Sequence, residues 1–280
     1  MEFLNEPEPQ RGIAVELAPG IRRIVAPNPG PMTYHGTNTY LLEELEADGI
    51  TVLDPGPDDA GHLAAVLKAA GRVARILLSH GHSDHIAGLA AMRAATHAPV
   101  YAFDPALQPD HLLEHHASVA GWTALHTPGH APDHLCFSRR DGVLLSADHV
   151  MGWSTSVVPP PPDGDMAAYF ASLRLLLERR EWLYLPGHGP AIREPQVYVQ
   201  ALLDHRIERE RQVLEALVPG PLSVEALVGK LYTGLEPSLR PMAARSLLSH
   251  LFKLLAEERV VRRRNAWAIP VPRRAHAKSA

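Results

Sequence analysis

The sequence predicts an α/β layered fold with a small helical appendage. Three observations predict it: short apolar runs alternate with helical patterns through the first two hundred residues, histidines and aspartates collect at the ends of those runs, and the pattern changes after PGHGPAIREP into polar and amphipathic helices with a basic turn. With 280 residues, 46% of them hydrophobic, the chain can bury a substantial core and suits one large domain joined to a smaller one.

In chain order, GITVLDPG is an apolar run stopped by an Asp-Pro-Gly turn, and RVARILLSH, APVYAFD, GWTALHTPGH and EWLYLPGH have the same character. Each of the last four leads toward a histidine or an aspartate. Between them HLAAVLKAAG and GLAAMRAAT have helical composition, the first closed by Gly71 as a C-cap. LCFSRRDGVLLSADH reads as a β-hairpin turned at Asp141-Gly142. The proline-rich VVPPPPDGDM is a loop, and Asp163 or Asp165 is placed to cap the helix MAAYFASLRLLLE.

Pro195 suits the first turn of a helix running to about Leu217, whose middle, DHRIERERQ, is almost wholly polar, as in helices that bridge two bodies. Val224, Leu227, Val228 and Leu231 then follow helical spacing, and Leu247, Leu248, Leu251, Leu254 and Leu255 make one apolar stripe. VVRRRNAWAI reads as two short strands around a basic turn. Three helices and a two-stranded wing spell a winged helix. The expected domains are residues 1–204, a winged helix over 205–272, and a basic tail over 273–280.

Composition narrows the setting. MEFLNEPEPQ is acidic and lacks a signal-peptide pattern, and no apolar run approaches membrane-spanning length, so a soluble cytoplasmic protein without membrane partners is expected. The single cysteine, Cys136, excludes an intrachain disulfide and reads as a packed thiol in HLCFS. Residues 1–204 hold 13 Lys+Arg against 24 Asp+Glu, whereas residues 205–280 hold 14 against 7, within a net charge of −4. The basic C-terminal quarter suits an acidic partner, or else a solvated face.

The chemistry concentrates in LLSHGHSDHIAG. Imidazole nitrogens and carboxylate oxygens are ligands that zinc and similar divalent ions prefer. His80 and His82, two apart, can face one ion, and Asp84 and His85, past the turn, a second. A pair of ions needs further ligands, and TPGH with His130, SADH with Asp148 and PGHG with His188 offer them at later strand ends.

This set resembles the metallo-β-lactamase superfamily, whose HxHxDH signature stands here as His80-Gly81-His82-Ser83-Asp84-His85, with the other motifs following in order over about residues 20–200. The resemblance implies an αβ/βα sandwich. It also implies that His80, His82 and His130 hold one metal, that Asp84, His85 and His188 hold the other, and that Asp148 bridges them. Two cations ~4 Å apart acidify a shared water and clamp the attacking and leaving oxygens, and Asp84 would hold the nucleophile's proton. Asp148 at the bridging position departs from the many true β-lactamases with a cysteine among their second-site ligands, His82 departs from the redox relatives with a glutamate there, and the resemblance thereby favours a hydrolase. Zinc is the first choice of metal, with iron or manganese compatible.

NPGPMTYHGTNTYLL, PPDGDMAAYFASL and the C-terminal helices further resemble the beta-lactamase-like protein 2 family, whose animal member is an endoribonuclease acting on single-stranded RNA. Phosphodiester hydrolysis is therefore implied, with Arg262, Arg263, Arg264, Lys253 and Arg245 holding phosphates. Asn38 is a candidate substrate contact, or a turn-stabilising amide. His134 is a candidate catalytic residue, or a hydrogen-bonding support for the His130 turn. Asp54 orients a metal-bound histidine or pins its turn, and His149 should point away from Asp148. The competing readings are a thioesterase or other small-ester hydrolase, a homo-oligomer formed through the winged helix, and a non-enzymatic metal-binding DNA regulator.

Overall fold

The computed structural model describes residues 2–43 and 49–270; the tail expected over 273–280 lies outside the described residues. The first half runs β1 (Val15–Ala18), β2 (Ile21–Val25), β3 (Asn38–Glu43), β4 (Ile50–Leu53), α1 (Ala60–Ala70), β5 (Val73–Leu77), α2 (Ser83–Ile86), α3 (Leu89–Thr96), β6 (Val100–Ala102) and β7 (His111–Leu112). Its strands form one sheet in sequence order, antiparallel from β1 to β4 and parallel from β4 to β7. Asp59 caps α1 by accepting from His62 N, and Gly71 ends it, its N–H returning to the Leu67 carbonyl.

The second half supplies β8 (Ser118–Val119), β9 (Trp122–His126), β10 (Leu135–Arg139), β11 (Val143–Ala147), α4 (Met166–Leu177) and β12 (Leu183–Pro186). Its sheet has the order β12-β11-β10-β9-β8, and α4 is the crossover that makes β12 parallel to β11. Asp165 caps α4 by accepting from Ala167 N and Ala168 N.

Alternation along the strands builds the layers. Tyr40, Leu42 and Leu53 from the first sheet meet Trp122, Phe137, Leu145 and Leu185 from the second in one core. Their strand neighbours Leu41, Val52 and Ile76 face α1 and α3, while Leu125, Cys136, Leu144 and Tyr184 face α4. The result is the αβ/βα sandwich that the motifs implied.

The C-terminal part comprises α5 (Pro195–Leu217), α6 (Val224–Leu231), α7 (Arg240–Ala256), β13 (Val261–Arg263) and β14 (Ala266–Ala268). Val213, Leu217, Leu227, Leu251 and Trp267 share its core. Helix α5 runs unbroken through residue 205, and its earlier residues Val199 and Leu202 pack with α4 instead.

The polar middle of α5 is not simply solvated. Arg206 and Glu210 are each 4% exposed. Glu210 accepts from His250 Nδ1 at 3.2 Å and from Lys253 Nζ at 2.9 Å. Lys253 is thereby corrected as a phosphate-holding residue: it is buried against Glu210 and also pairs with Glu257 at 2.8 Å. Arg245 pairs with Asp163 at 3.0 Å, but both side chains are exposed. Among the described residues no helix is long and apolar enough to cross a membrane.

Candidate metal centre

The HxHxDH turn is held from the end of the neighbouring strand. Asp54, just past β4, accepts from Ser79 N at 2.8 Å and Ser79 Oγ at 2.6 Å, and its Oδ2 also accepts from His85 Nδ1 at 2.9 Å. Asp54 therefore both pins the turn and orients a histidine. Because the Ser79 hydroxyl proton goes to Asp54, its oxygen must accept from His80 Nδ1, 2.9 Å away. His130 Nδ1 donates to the Val157 carbonyl at 2.7 Å, and His188 Nδ1 to the Gly36 carbonyl at 3.3 Å. Four imidazoles thus have their Nδ1 protons tied outward, which turns their Nε2 atoms toward one another.

The inward atoms fall into two overlapping groups. His82 Nδ1 lies 3.0 Å from His80 Nε2 and 2.9 Å from His130 Nε2. Asp84 Oδ2 lies 3.2 Å from His188 Nε2 and 3.5 Å from His85 Nε2. Asp148 reaches both groups: Oδ1 is 3.4 Å from His85 Nε2, and Oδ2 is 3.4 Å from His188 Nε2 and 3.6 Å from His130 Nε2. Within His80, His82, His130 and Asp148, and within Asp84, His85 and His188, the offered atoms all lie within 4.8 Å of one another.

These residues fit a pair of divalent cations. Lone pairs of imidazoles whose protons point outward repel at such distances unless a cation lies between them. His85 Nε2 and Asp148 Oδ1 are buried with no hydrogen-bond partner, which is costly for polar atoms left to themselves. Burial, with repulsion from His85, pushes His80 well below the usual histidine range, and burial takes His130 down to about 4, so both are neutral; against burial, Asp148 raises His85 well above that range and His188 to about 9, protons that a bound cation would displace. Burial opposes ionisation of Asp148, but His188 and His85 overcome it and hold the carboxyl well below its usual range. Nitrogen and carboxylate donors of this kind suit zinc, iron or manganese.

Close approach also needs glycine at 187. A Cβ there would run into Asp148 Oδ1 and His85 Cε1. The residue's carbonyl meanwhile accepts from Asn38 N at 2.8 Å, tying β3 to the His188 loop.

All seven motif residues proposed as ligands converge, but other candidates are placed differently. His134 is wholly buried; Nδ1 is 3.0 Å from Thr127 Oγ1, and Nε2 accepts from Asp148 N at 3.2 Å. With both nitrogens engaged it holds the backbone of Asp148, which corrects its candidacy as a catalytic residue. Asn38 is corrected too. It is 1% exposed and donates to the carbonyls of Pro186 and Gly189 at 2.9 and 3.0 Å, stapling the loop that carries His188 rather than facing substrate. His149 points away from the cluster, its ring 4.6 Å from that of Tyr169. Arg262, Arg263 and Arg264 are exposed on the wing, outside the cluster. The carbonyls of Val157 and Gly36 carry no sequence signal, since every residue has one.

Comparison with known proteins agrees with this geometry. Residues 32–108 and 98–188 match the family described as the Metallo-beta-lactamase superfamily, and residues 223–267 match the Beta-lactamase associated winged helix domain. The chain is 31% identical over 268 residues to the Beta-lactamase-like protein 2 homolog of Drosophila melanogaster, covering 86% of this chain and 89% of that protein. It is 29% identical over 276 residues to an Atrochrysone carboxyl ACP thioesterase of Passalora fulva, covering 86% and 77%. A beta-lactamase domain protein from Burkholderia ambifaria shares the fold, with a TM-score of 0.82 at 22% identity over 94% of this chain and 95% of that one. With the sandwich, the His/Asp cluster and the winged helix in one chain, the protein belongs to the metallo-beta-lactamase superfamily of hydrolases.

Proposed function

We propose that this hydrolase cuts phosphodiester bonds of single-stranded RNA, using two zinc ions. His80, His82 and His130 would hold one ion, Asp84, His85 and His188 the other, with Asp148 serving both. When bound, such ions supply an acidified water and neutralise charge developing on the attacking and departing oxygens. Asp84 turns Oδ2 toward His188 and His85, and the carboxylate would also hold the nucleophile's proton. Burial works against its charge, yet the neighbouring His188 and His85 hold the Asp84 carboxyl below its usual range, so it is ionised at neutral pH.

The observation that carries the RNA reading is the arginine wing. Arg262, Arg263 and Arg264 project from a winged helix, and none meets a carboxylate within 4.0 Å among the described residues. Arg262 lies over the Trp267 ring, 5.9 Å from its centre, and guanidinium groups without a carboxylate partner are suited to phosphates. A labelled single-stranded oligonucleotide should be cleaved, less efficiently as salt rises, and replacing the three arginines with alanine should flatten the salt dependence by about 0.7 in log–log slope per lost phosphate contact.

A thioesterase is the second reading, favoured by the thioesterase relative that aligns over most of the chain. The same preparation assayed on thioesters decides between them. Thioester turnover without RNA cleavage replaces the first reading with the second.

A further inference from the structure

We infer that Arg206 is a positioning residue for the metal centre, through which the C-terminal helices hold His130. The inference rests on the reading of His130 as a metal ligand.

Arg206 is 4% exposed and has no carboxylate within 4.0 Å among the described residues. A buried guanidinium without a counter-ion is destabilising unless its donors are satisfied and its charge is met by other groups. Nη2 donates to the Ser156 carbonyl in a short hydrogen bond and Nη1 donates to Ser246 Oγ of α7 at 3.3 Å, while Nε is buried without a hydrogen-bond partner. The guanidinium also lies 5.5 Å from the centre of the Tyr169 ring, a cation–π arrangement.

The segment it grips leads directly to the cluster. Next to Ser156, the Val157 carbonyl accepts the Nδ1 proton of His130 at 2.7 Å. Two residues later, the Pro159 carbonyl accepts from Ser249 Oγ of α7 at 3.1 Å. Residues 155–160 have no helix or strand of their own, and Pro159 to Pro162 lack backbone donors. Such a strap cannot fix its own carbonyls in a ladder, so side chains from α5 and α7 fix them. Ser156 Oγ and Tyr169 OH both donate to the carbonyl of His149, at 3.0 and 2.9 Å, which anchors the same strap beside Asp148.

The consequence is specific to one imidazole. If Arg206 is removed, the Ser156 carbonyl loses its buried donor and the Val157 carbonyl loses its placement. His130 then loses the partner that sets both its tautomer and its ring angle. The C-terminal helices are in this sense part of the metal site without supplying a ligand.

The test uses the full chain, stripped with chelator and reloaded with cobalt or zinc. Metal affinity is measured by competition with a chromophoric chelator, and the cobalt absorption bands report ligand geometry. Arg206→Met should weaken one of the two ions by about 10- to 100-fold, as other losses of a ligand's hydrogen-bonding partner do. Its cobalt bands should shift in the direction given by His130→Ala. Arg206→Lys, which can serve one of the two acceptors, should fall between. If Arg206→Met does not fold, the Ser246→Ala, Ser249→Ala double variant decides, with a weakening of the same ion expected. Folded variants with wild-type affinity and cobalt bands overturn the inference, even if they melt earlier, provided His130→Ala weakens binding. If His130→Ala itself binds both ions as the wild type does, the ligand reading fails, and this inference with it.

Discussion

Asp54 and His85 meet at 2.9 Å, Oδ2 to Nδ1, with side chains only 2% and 0% exposed. The same carboxylate holds Ser79, so one residue at the end of β4 sets both the delivery of His80 and the ring of His85. Asp54→Asn puts one amide oxygen and one amide NH2 where two acceptors stood, so at least one buried donor loses its partner. The expected outcome is a loss of metal affinity of about 10- to 100-fold, with about 1–3 kcal/mol of stability lost. Chelator competition and urea unfolding measure the two, and unchanged metal affinity would remove Asp54 from the arrangement.

At Gly187 the demand is for space. A methyl group there has to displace Asp148 or His85, so Gly187→Ala should leave the secondary structure intact by circular dichroism while reducing the bound metal. Metal content per folded chain is the readout, and a fully loaded variant would show that the loop gives way.

Stability should fall in mild acid partly through His62. Its Nε2 lies 2.9 Å from Thr39 Oγ1, and because that hydroxyl donates to the Asp54 carbonyl, the histidine must donate. Burial pushes its pKa down to about 4, against a weaker opposing pull from Asp59. Between about 6.5 and 4 the unfolded chain takes up this proton and the native one refuses it, so stability from this group is full above about 6.5 and is lost as pH falls. The amount is about 3 kcal/mol by pH 4. In urea titrations the stability difference between the wild type and His62→Gln should shift by this amount across the window in favour of the variant; a constant difference contradicts it.

Cys136 should be inert in the native protein. It is wholly buried, accepts from Thr127 Oγ1 at 3.3 Å, donates to the Ser146 carbonyl at 3.6 Å, and its thiol is pushed up to about 12 by burial. A thiol-specific disulfide reagent at pH 8 should react with one equivalent only when denaturant opens the fold. Prompt reaction in buffer would place the thiol at the surface.

Local patterns made the sandwich and the cluster legible. Short apolar runs such as TVL and ARILL ended in turns, and the HxHxDH, TPGH, SADH and PGHG segments each marked a strand end. What stayed hidden depends on distant partners. DHRIERERQ gave no sign that Arg206 meets a carbonyl 50 residues away. Lys253 counts as a free cation in composition, yet it lies against Glu210 on another helix. His134 and Asn38 stand beside ligand motifs, and only the packing of the second sheet and the His188 loop shows that their polar atoms are already engaged.

Helix α5 has a consequence for how the molecule comes apart. Its first turns belong to the core under α4, and its last turns to the core of the winged helix, with no break between. Fraying that begins in one core removes a wall of the other, so the two lose their independence and melt as one cooperative unit. A cut near residue 204 would leave two fragments, each exposing a half-finished apolar surface, and neither would inherit the stability of the whole.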